Sequence, residues 1–98
     1  MPDLSESKKR CARVAAMLKS LAHPQRLFIL CRLAKGEATV SELREACGAS
    51  QSLISQHLTR MRREGLVQAR RQGHFVHYRI LDPKLSALIK EMEAAFNE

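Results

Sequence analysis

A group of short polar and arginine side chains between residues 51 and 63 has the chemistry needed to bind DNA. Their amide, hydroxyl and guanidinium groups can hydrogen-bond to base edges and phosphates, and the helical period places them on one side of a helix. They are Gln51, Ser52, Ser55, Gln56, Thr59, Arg60 and Arg63. The opposite side carries Leu53, Ile54, His57, Leu58 and Met61. The pattern predicts a helix with one side packed on a core and the other exposed to nucleic acid.

Three further cationic or polar side chains, Arg70, Arg71 and His74, lie close to a predicted hairpin turn. The segment 66–80 consists of two β-prone runs separated by Gln72-Gly73, a two-residue turn that favours a hairpin. Arginines beside a hairpin tip reach phosphates more readily than base edges. We therefore predict a basic wing in which these three side chains contact DNA.

The polar helix is the second of two helices that form a predicted helix-turn-helix over 39–64. Thr39 and Glu42 have the spacing of a capping box at the start of the first helix, and Gly48 suits a left-handed C-cap. Ser50 is a suitable N-cap for the second helix. Two helices joined by a tight turn and followed at once by a basic hairpin indicate a winged helix-turn-helix DNA-binding domain.

The remaining segments are predicted to complete a mainly α fold of about five helices with a two-stranded wing. Residues 8–21 carry a helical apolar stripe, and the polar segment 1–7 before them is expected to be frayed. Pro24 and Pro83 each follow a residue suited to an N-cap, so they begin the second helix and the last helix.

The apolar stripe of the last helix is longer than a core of this size requires. It consists of Leu85, Leu88, Ile89, Met92 and Phe96. We therefore predict that helices 8–21 and 83–96 form the interface of a homodimer, because a symmetric DNA reader places two recognition helices about one turn of DNA apart. The alternative is a monomer whose last helix only caps the domain.

Length and charge fit a single DNA-binding domain over residues 1–98. The net charge of +7 is uneven, since residues 50–80 contain six arginines and one glutamate, whereas residues 81–98 contain two lysines and four acidic residues. A basic centre beside an acidic end favours a nucleic-acid surface separate from a protein-contact surface, although the arginines could also form only a solvated surface. The chain contains no apolar run long enough for a membrane span and no signal core, so we expect a cytoplasmic protein without a membrane partner.

The sequence resembles the ArsR/SmtB family of bacterial transcriptional repressors over roughly residues 10 to 96. The resemblance rests on Ser52-x-x-Ser55-Gln56-His57-Leu58-x-x-Met61-x-x-x-Gly65-Leu66-Val67, on Arg70-Arg71-x-Gly73 with Tyr78, and on Leu18-Lys19-Ser20-Leu21-Ala22-His23-Pro24-x-Arg26-Leu27. It implies a homodimer that occupies a double-stranded DNA operator at a promoter and releases it when an inducer arrives. A symmetric dimer implies that the operator is an inverted repeat.

The metal sites known in that family are not expected here, and no cofactor is expected. The family's thiolate sensors have a Cys-x-Cys pair where this chain has Thr39 and Ser41, neither of which is a soft ligand. Another family site uses Asp and His on the last helix, but residues 82–98 contain no histidine. His74 and His77 are spaced so that they point to opposite faces of a strand and cannot chelate one ion.

Cys31 and Cys11 are the candidate thiol sensors. The segment Ile29-Leu30-Cys31-x-Leu33 resembles the sulfide- and redox-responsive branch of the family, whose members pair this cysteine with another near the end of the last helix. That partner is absent here, so Cys11 could replace it, or Cys11, Cys31 and Cys47 could gather around a thiophilic ion such as arsenite. Each of these cysteines also falls on an apolar stripe and could simply be a small core residue.

The sequence therefore favours a dimeric repressor that is released by a redox or sulfur species rather than by a metal or metalloid, with an unrecognised inducer also open. No phosphate loop, carboxylate pair or nucleophile elbow is visible, so enzyme activity is not expected. Two alternatives remain. A DNA architectural protein would bind every duplex equally, and a winged-helix protein-interaction module would lack an exposed basic helix face.

Overall fold

The computed structural model describes residues 3–97 and shows five helices and three strands. In chain order these are α1 (Leu4–Leu21), α2 (Pro24–Leu33), β1 (Ala38–Thr39), α3 (Val40–Cys47), α4 (Gln51–Arg63), β2 (Val67–Gln72), β3 (Phe75–Ile80) and α5 (Pro83–Ala95). The order of α3, α4 and the β2–β3 hairpin confirms the winged helix-turn-helix that the sequence predicts. None of the described helices is long and apolar enough to cross a membrane.

The predicted caps of the helix-turn-helix are confirmed. The Thr39 hydroxyl accepts a hydrogen bond from the Glu42 backbone N–H at 3.2 Å, and the Glu42 carboxylate accepts one from the Thr39 N–H at 3.0 Å. Gly48 ends α3 with a φ of +64°, in the left-handed region that glycine enters without strain. The Ser50 hydroxyl accepts from the Leu53 N–H at 3.2 Å at the start of α4. These bonds fix where both helices begin.

Helix α1 begins earlier than the sequence analysis suggested. The Asp3 carboxylate accepts a hydrogen bond from the Glu6 N–H at 2.8 Å and caps a helix that starts at Leu4, inside the segment expected to be frayed. Residues 1 and 2 of that segment lie outside the described part of the chain. The helix therefore begins within the polar segment, at a side-chain cap.

The hairpin turn lies one residue later than predicted. Gln72 of β2 is opposite Phe75 of β3, so the two turn residues are Gly73 and His74 rather than Gln72 and Gly73. Gly73 has a φ of +63°, and no described residue other than glycine has a positive φ. A two-residue turn with positive φ only at its first position has the geometry of type II′, which explains why glycine occupies that position.

The sheet has a third strand that the sequence did not indicate. The two residues of β1 pair antiparallel with β3, with Ala38 opposite Tyr78 and Thr39 opposite His77, so the strand order is β1-β3-β2. Because β1 ends where α3 begins, the sheet connects the wing directly to the N-terminus of the helix-turn-helix. A two-residue strand is too short to show an alternating pattern.

One core joins all five helices to the sheet. Its fully buried side chains include Ile29, Leu30, Leu43, Ile54, Leu58, Met61, Val67 and Ile89. Leu53, which the sequence analysis placed on the core side of α4, is 40% exposed instead. It lies at the margin of the apolar side, whereas its neighbour Ile54 is fully buried.

Candidate nucleic-acid interface

The exposed side of α4 brings the predicted polar residues onto one surface. Ile54, Leu58 and Met61 are buried in the core, and this orients the helix so that its other side faces solvent. On that side Gln51, Ser52, Gln56, Thr59, Arg60 and Arg63 are exposed and Ser55 is half-buried. Ser55, Gln56, Thr59, Arg60, Arg63 and Glu64 line an open groove along the helix. Hydroxyl, amide and guanidinium groups are therefore displayed together for base edges and phosphates.

The C-terminal end of α4 is held by a carboxylate that two arginines share. Glu64 Oε1 lies 3.2 Å from a guanidinium nitrogen of the buried Arg26 on α2 and 3.3 Å from Nε of Arg60. The Arg26 pair fixes α4 against α2, since a buried guanidinium requires its partner. The Arg60 side chain remains 71% exposed, so this pair orients it without removing it from the surface.

His57 is a packing residue under the recognition surface. Its ring packs on the ring of His23 with centroids 4.9 Å apart, and its Nε2 is buried without a hydrogen-bond partner among the described residues. Burial lowers the pKa of His57, and the nearby His23, Arg26 and Arg60 lower it further. The ring is therefore neutral at ordinary pH, in keeping with its predicted place on the core side of α4.

The two wing arginines point to opposite faces of the hairpin. Successive side chains of a strand alternate, so Arg70 lies on the face that carries Gln72 and His77, while Arg71 lies on the other. Arg70 donates to Glu37 at 2.7 Å and to Gln72 at 3.3 Å. Arg71 makes no hydrogen bond or ion pair within residues 3–97. The sequence analysis treated the two arginines as equivalent, but of the two only Arg71 is free of a partner within residues 3–97.

The face that carries Arg70 holds a network of polar side chains. Its hairpin residues are Gln68, Arg70, Gln72, Phe75, His77 and Arg79, and we call it the outer hairpin face. Arg79 donates two hydrogen bonds to the Gln68 amide oxygen, at 3.1 and 2.9 Å. The hydrogen bond from Arg70 is the largest cause that lowers the pKa of Glu37, with His77 and Arg79 contributing. Glu37 is therefore ionised and restrains one arginine of the wing.

Glu37 is a residue that the sequence analysis missed. Its partner Arg70 is distant in the chain, and the two meet because β1 brings the segment before α3 next to the sheet. No local pattern predicts that contact. The only sequence signal is an acidic residue just upstream of the capping box at Thr39, and that placement is common in loops.

The three cysteines are free thiols. Cys11 is exposed on α1, contrary to its expected place on a buried stripe, and Cys31 and Cys47 are half-buried. Burial is the largest cause that raises the pKa of the Cys31 thiol, the nearby Glu93 carboxylate raises it further, and Lys35 lowers it by less. Cys31 is therefore a thiol at neutral pH, and no nearby cation turns it into a thiolate.

Within residues 3–97, no three Cys, His, Asp or Glu side chains form a group that could hold a metal ion.

The predicted dimer stripe divides into two parts. Leu85 and Ile89 are buried in the core of their own chain and so are not free to contact a partner. Leu88 is 39% exposed and Phe96 82% exposed, with Met92 half-buried between them. Val14 and Leu18 of α1 are exposed as well. Exposed apolar side chains therefore remain on α1 and on the outer side of α5.

The fold and the polar α4 surface define a winged helix-turn-helix transcriptional regulator that binds DNA. Residues 23–69 match the model of the "Bacterial regulatory protein, arsR family". The chain is 40% identical over 93 residues to the biofilm growth-associated repressor of Agrobacterium fabrum, an alignment that covers 95% of this chain and 80% of the relative. The protein therefore belongs to the arsR family, as its sequence suggests, and the members to which it is similar are DNA-binding regulators rather than enzymes.

Two further similar proteins extend this finding. The transcriptional activator HlyU of Vibrio cholerae is 39% identical, with 90% of this chain and 82% of HlyU aligned. The structure of its reduced form superimposes with a TM-score of 0.87 at 36% identity and covers 97% of this chain and 100% of that one. The homodimeric winged helix-turn-helix DNA-binding domain Mb0332 of Mycobacterium bovis has a TM-score of 0.77 at 31% identity, covering 95% of this chain and 86% of that one.

Proposed function

We propose that this protein is a homodimeric, sequence-specific repressor that acts on DNA in the cytoplasm and leaves its operator when an inducer arrives. The observation that carries the proposal is the exposed side of α4, where amide, hydroxyl and guanidinium groups lie along one open groove. A helix of this size fits the major groove, and these groups are the ones that distinguish base pairs there.

The proposed contacts divide into those that read bases and those that position the protein. Gln56 is exposed at the middle of α4 and is the proposed reader, since an amide can bond in two places to adenine. Ser55 is half-buried beside Gln56, and its short hydroxyl side chain is proposed to contact a base close to the helix. Arg63 and Arg71 are the proposed phosphate ligands, because both are exposed and neither is held by a carboxylate within residues 3–97.

The proposed homodimer is supported by the exposed apolar side chains of α1 and α5. A single chain leaves Val14, Leu18, Leu88 and Phe96 exposed, and a second copy that covers them would remove this surface from water. The homodimeric state of the Mycobacterium bovis neighbour supports this arrangement. A two-fold dimer presents two copies of α4 with opposite polarity, so we propose an inverted repeat as the operator.

Selection of duplexes from a random library tests sequence specificity. The wild-type protein should enrich a common inverted repeat, and it should then bind that duplex at least about a thousandfold more tightly than a scrambled duplex of equal length. Equal affinity for all duplexes would instead identify a DNA architectural protein. Transcription from a promoter that contains the selected operator then distinguishes repression from activation.

We propose a redox or sulfur species as the inducer and Cys31 as the residue that it modifies. Cys31 on α2 is half-buried and packed against the core, so an added oxygen or sulfur atom would disturb that packing. Because the thiol is protonated at neutral pH, the modification proceeds through its small thiolate fraction. An oxidant or a persulfide should release the wild type from the operator but not the Cys31→Ser variant, with Cys11→Ser as the control. Mass spectrometry then distinguishes a single-sulfur modification from a Cys11–Cys31 or intersubunit disulfide. Equal release of Cys31→Ser would reject Cys31 as the sensor.

A further inference from the structure

An exposed aromatic ring stands at the tip of the wing. Phe75 is the first residue of β3, lies opposite Gln72 across the Gly73-His74 turn, and is 64% exposed. It belongs neither to the core nor to the partly buried side chains packed on the core. The fold therefore gains little from an apolar side chain at this position, and burial of the ring would require a partner outside the chain.

The hairpin that carries the ring is rich in positive charge. The segment 66–81 contains three arginines and two histidines but no carboxylate. Arg71 and the turn residue His74 flank the tip and, within residues 3–97, are the free cations near the ring, whereas Arg70, on the same outer hairpin face as Phe75, is paired with Glu37. An apolar ring among cations matches a polyanion that also offers apolar surface. In DNA the phosphates supply the charge, and the sugars and base edges supply that surface.

The position of the hairpin in the fold indicates which part of the DNA the ring would meet. Strand β2 begins shortly after α4 ends, and Val67 at its start is packed into the same core as Met61 of α4. With α4 in the major groove, as proposed above, a hairpin joined to the end of α4 would lie over the neighbouring stretch of duplex, where the adjacent minor groove would be within its reach. Apolar side chains in the minor groove contact sugars and base edges and can act as wedges between base steps.

We propose that Phe75 enters the minor groove beside each half-site and makes the protein selective for A·T pairs at that position. The exocyclic amino group of guanine projects into the minor groove and would obstruct the ring, whereas an A·T pair leaves the floor of the groove open. A·T-rich segments also have a narrow minor groove of strong negative potential, which would attract the free Arg71 beside the tip. This inference rests on the proposed DNA-binding function.

The first test compares Phe75→Ala with Phe28→Ala on the selected operator. Phe28 is a matched control, because it is also an exposed phenylalanine, at 52%, but lies on α2 outside the hairpin. Phe75→Ala should weaken operator binding by about tenfold, while Phe75→Leu, which keeps an apolar side chain, should lose less. The dependence of affinity on salt should stay unchanged, since no phosphate contact is removed. Phe28→Ala should bind like the wild type, and circular dichroism checks that each variant is folded.

The second test changes the minor groove without changing the protein. At each flanking A·T pair of the operator, one duplex carries G·C and another carries inosine·cytosine, which has the major-groove pattern of G·C but lacks the exocyclic amino group. The wild type should bind the G·C duplex several-fold more weakly than the inosine duplex at the wing position. Phe75→Ala should bind the two duplexes equally.

The outcomes separate this inference from the proposed function. If the wild type selects an operator and Phe75→Ala binds it as tightly as the wild type does, Phe75 is not a DNA contact. A penalty for G·C that persists in Phe75→Ala would likewise overturn its role in selectivity. If the wild type selects no operator at all, the proposed function fails before the wing is in question.

Discussion

At the scale of single residues, the surface separates side chains that are free to bind from side chains that are already held. Arg60 and Arg70 each contact a carboxylate, whereas Arg71 contacts none within residues 3–97. Free and restrained arginines contribute differently to DNA binding, because a restrained guanidinium must exchange one anion for another. Substitutions of Arg71 and of the restrained arginines should therefore have different effects on DNA binding.

Gln56→Ala and Arg71→Ala should separate base reading from positioning. Loss of the Gln56 amide should reduce the preference for the operator by about 1–3 kcal/mol at a defined base pair. Arg71→Ala should weaken binding to operator and random duplex alike and should reduce the salt slope by about one unit. Competition gel shifts at several salt concentrations measure both effects. An unchanged operator preference in Gln56→Ala would show that this residue does not read a base.

Glu37→Gln should release Arg70 for phosphate binding. The carboxylate oxygen of Glu37 lies 2.7 Å from an Arg70 guanidinium nitrogen, and glutamine has no charge with which to hold it. We expect tighter binding to random duplex at low salt and a steeper salt dependence, by up to about 0.9 in slope. Glu45→Gln removes the same charge from the exposed face of α3 and serves as the control. Identical changes in the two variants would show that only net charge matters.

At the scale of elements, contacts with α2 help to set the position of α4. Besides the shared core, two contacts within residues 3–97 connect them: Arg26 of α2 pairs with Glu64, the C-cap of α4, and His23, the N-cap of α2, packs on His57 of α4. The His23–His57 contact lies at the core side of the recognition helix, and the Arg26–Glu64 pair lies at its C-terminal end. A change that weakens them should alter how α4 is presented to DNA without touching its exposed side chains.

The His57 contact predicts a loss of stability in acid. Burial and the cations near His57 hold its pKa in the folded protein below the value of about 6.5 expected in the unfolded chain. Above that pH both states are neutral. As the pH falls from there to the folded pKa, the unfolded chain takes up a proton that the folded protein does not, so the free energy of unfolding decreases.

Urea denaturation of the wild type and His57→Gln, at about pH 7.5 and about pH 5.5, measures this effect. The variant should lose less stability between the two values than the wild type loses. His74→Gln, in the exposed turn, removes a histidine without a buried ring and should behave like the wild type. An equal loss in His57→Gln would place the acid sensitivity elsewhere.

At the scale of the whole molecule, a single chain leaves an apolar surface that a second copy would cover. That surface combines the outer side of α5 with α1, two elements at opposite ends of the sequence. In the proposed dimer, the subunit interface would also set the distance between the two α4 helices. Operator affinity and oligomeric state should therefore change together.

Leu88→Glu should separate the subunits. Leu88 is on the exposed side of α5, so the carboxylate can stay solvated in the monomer but would be buried without a partner in the dimer. Sedimentation should show monomers, and operator affinity should fall by more than about tenfold, since one half-site supplies only half the contacts. Phe28→Glu, an exposed apolar position on α2, should remain dimeric. Wild-type protein that sediments as a monomer at micromolar concentration would contradict the model.

The sequence alone determined the features that depend on residues close together in the chain. The capping box joins Thr39 to Glu42, Ser50 caps through Leu53, and Gly48 ends α3, so each can be inferred from a few neighbouring residues. Helical periodicity likewise identified the polar side of α4. Its exposed residues need only a core on the opposite side, and Ile54, Leu58 and Met61 supply it.

Only the tertiary structure decided which arginines are held in ion pairs, because these pairs join distant segments of the chain. The Arg70–Glu37 and Arg26–Glu64 pairs are 33 and 38 residues apart in the chain, and no local period relates their members. The stripe of α5 shows the same limit. Leu85 and Leu88 share one apolar stripe in sequence, yet packing against the rest of the chain buries Leu85 and leaves Leu88 exposed. A periodic pattern shows that a helix has an apolar side, but it does not show how wide a surface the rest of the molecule will cover.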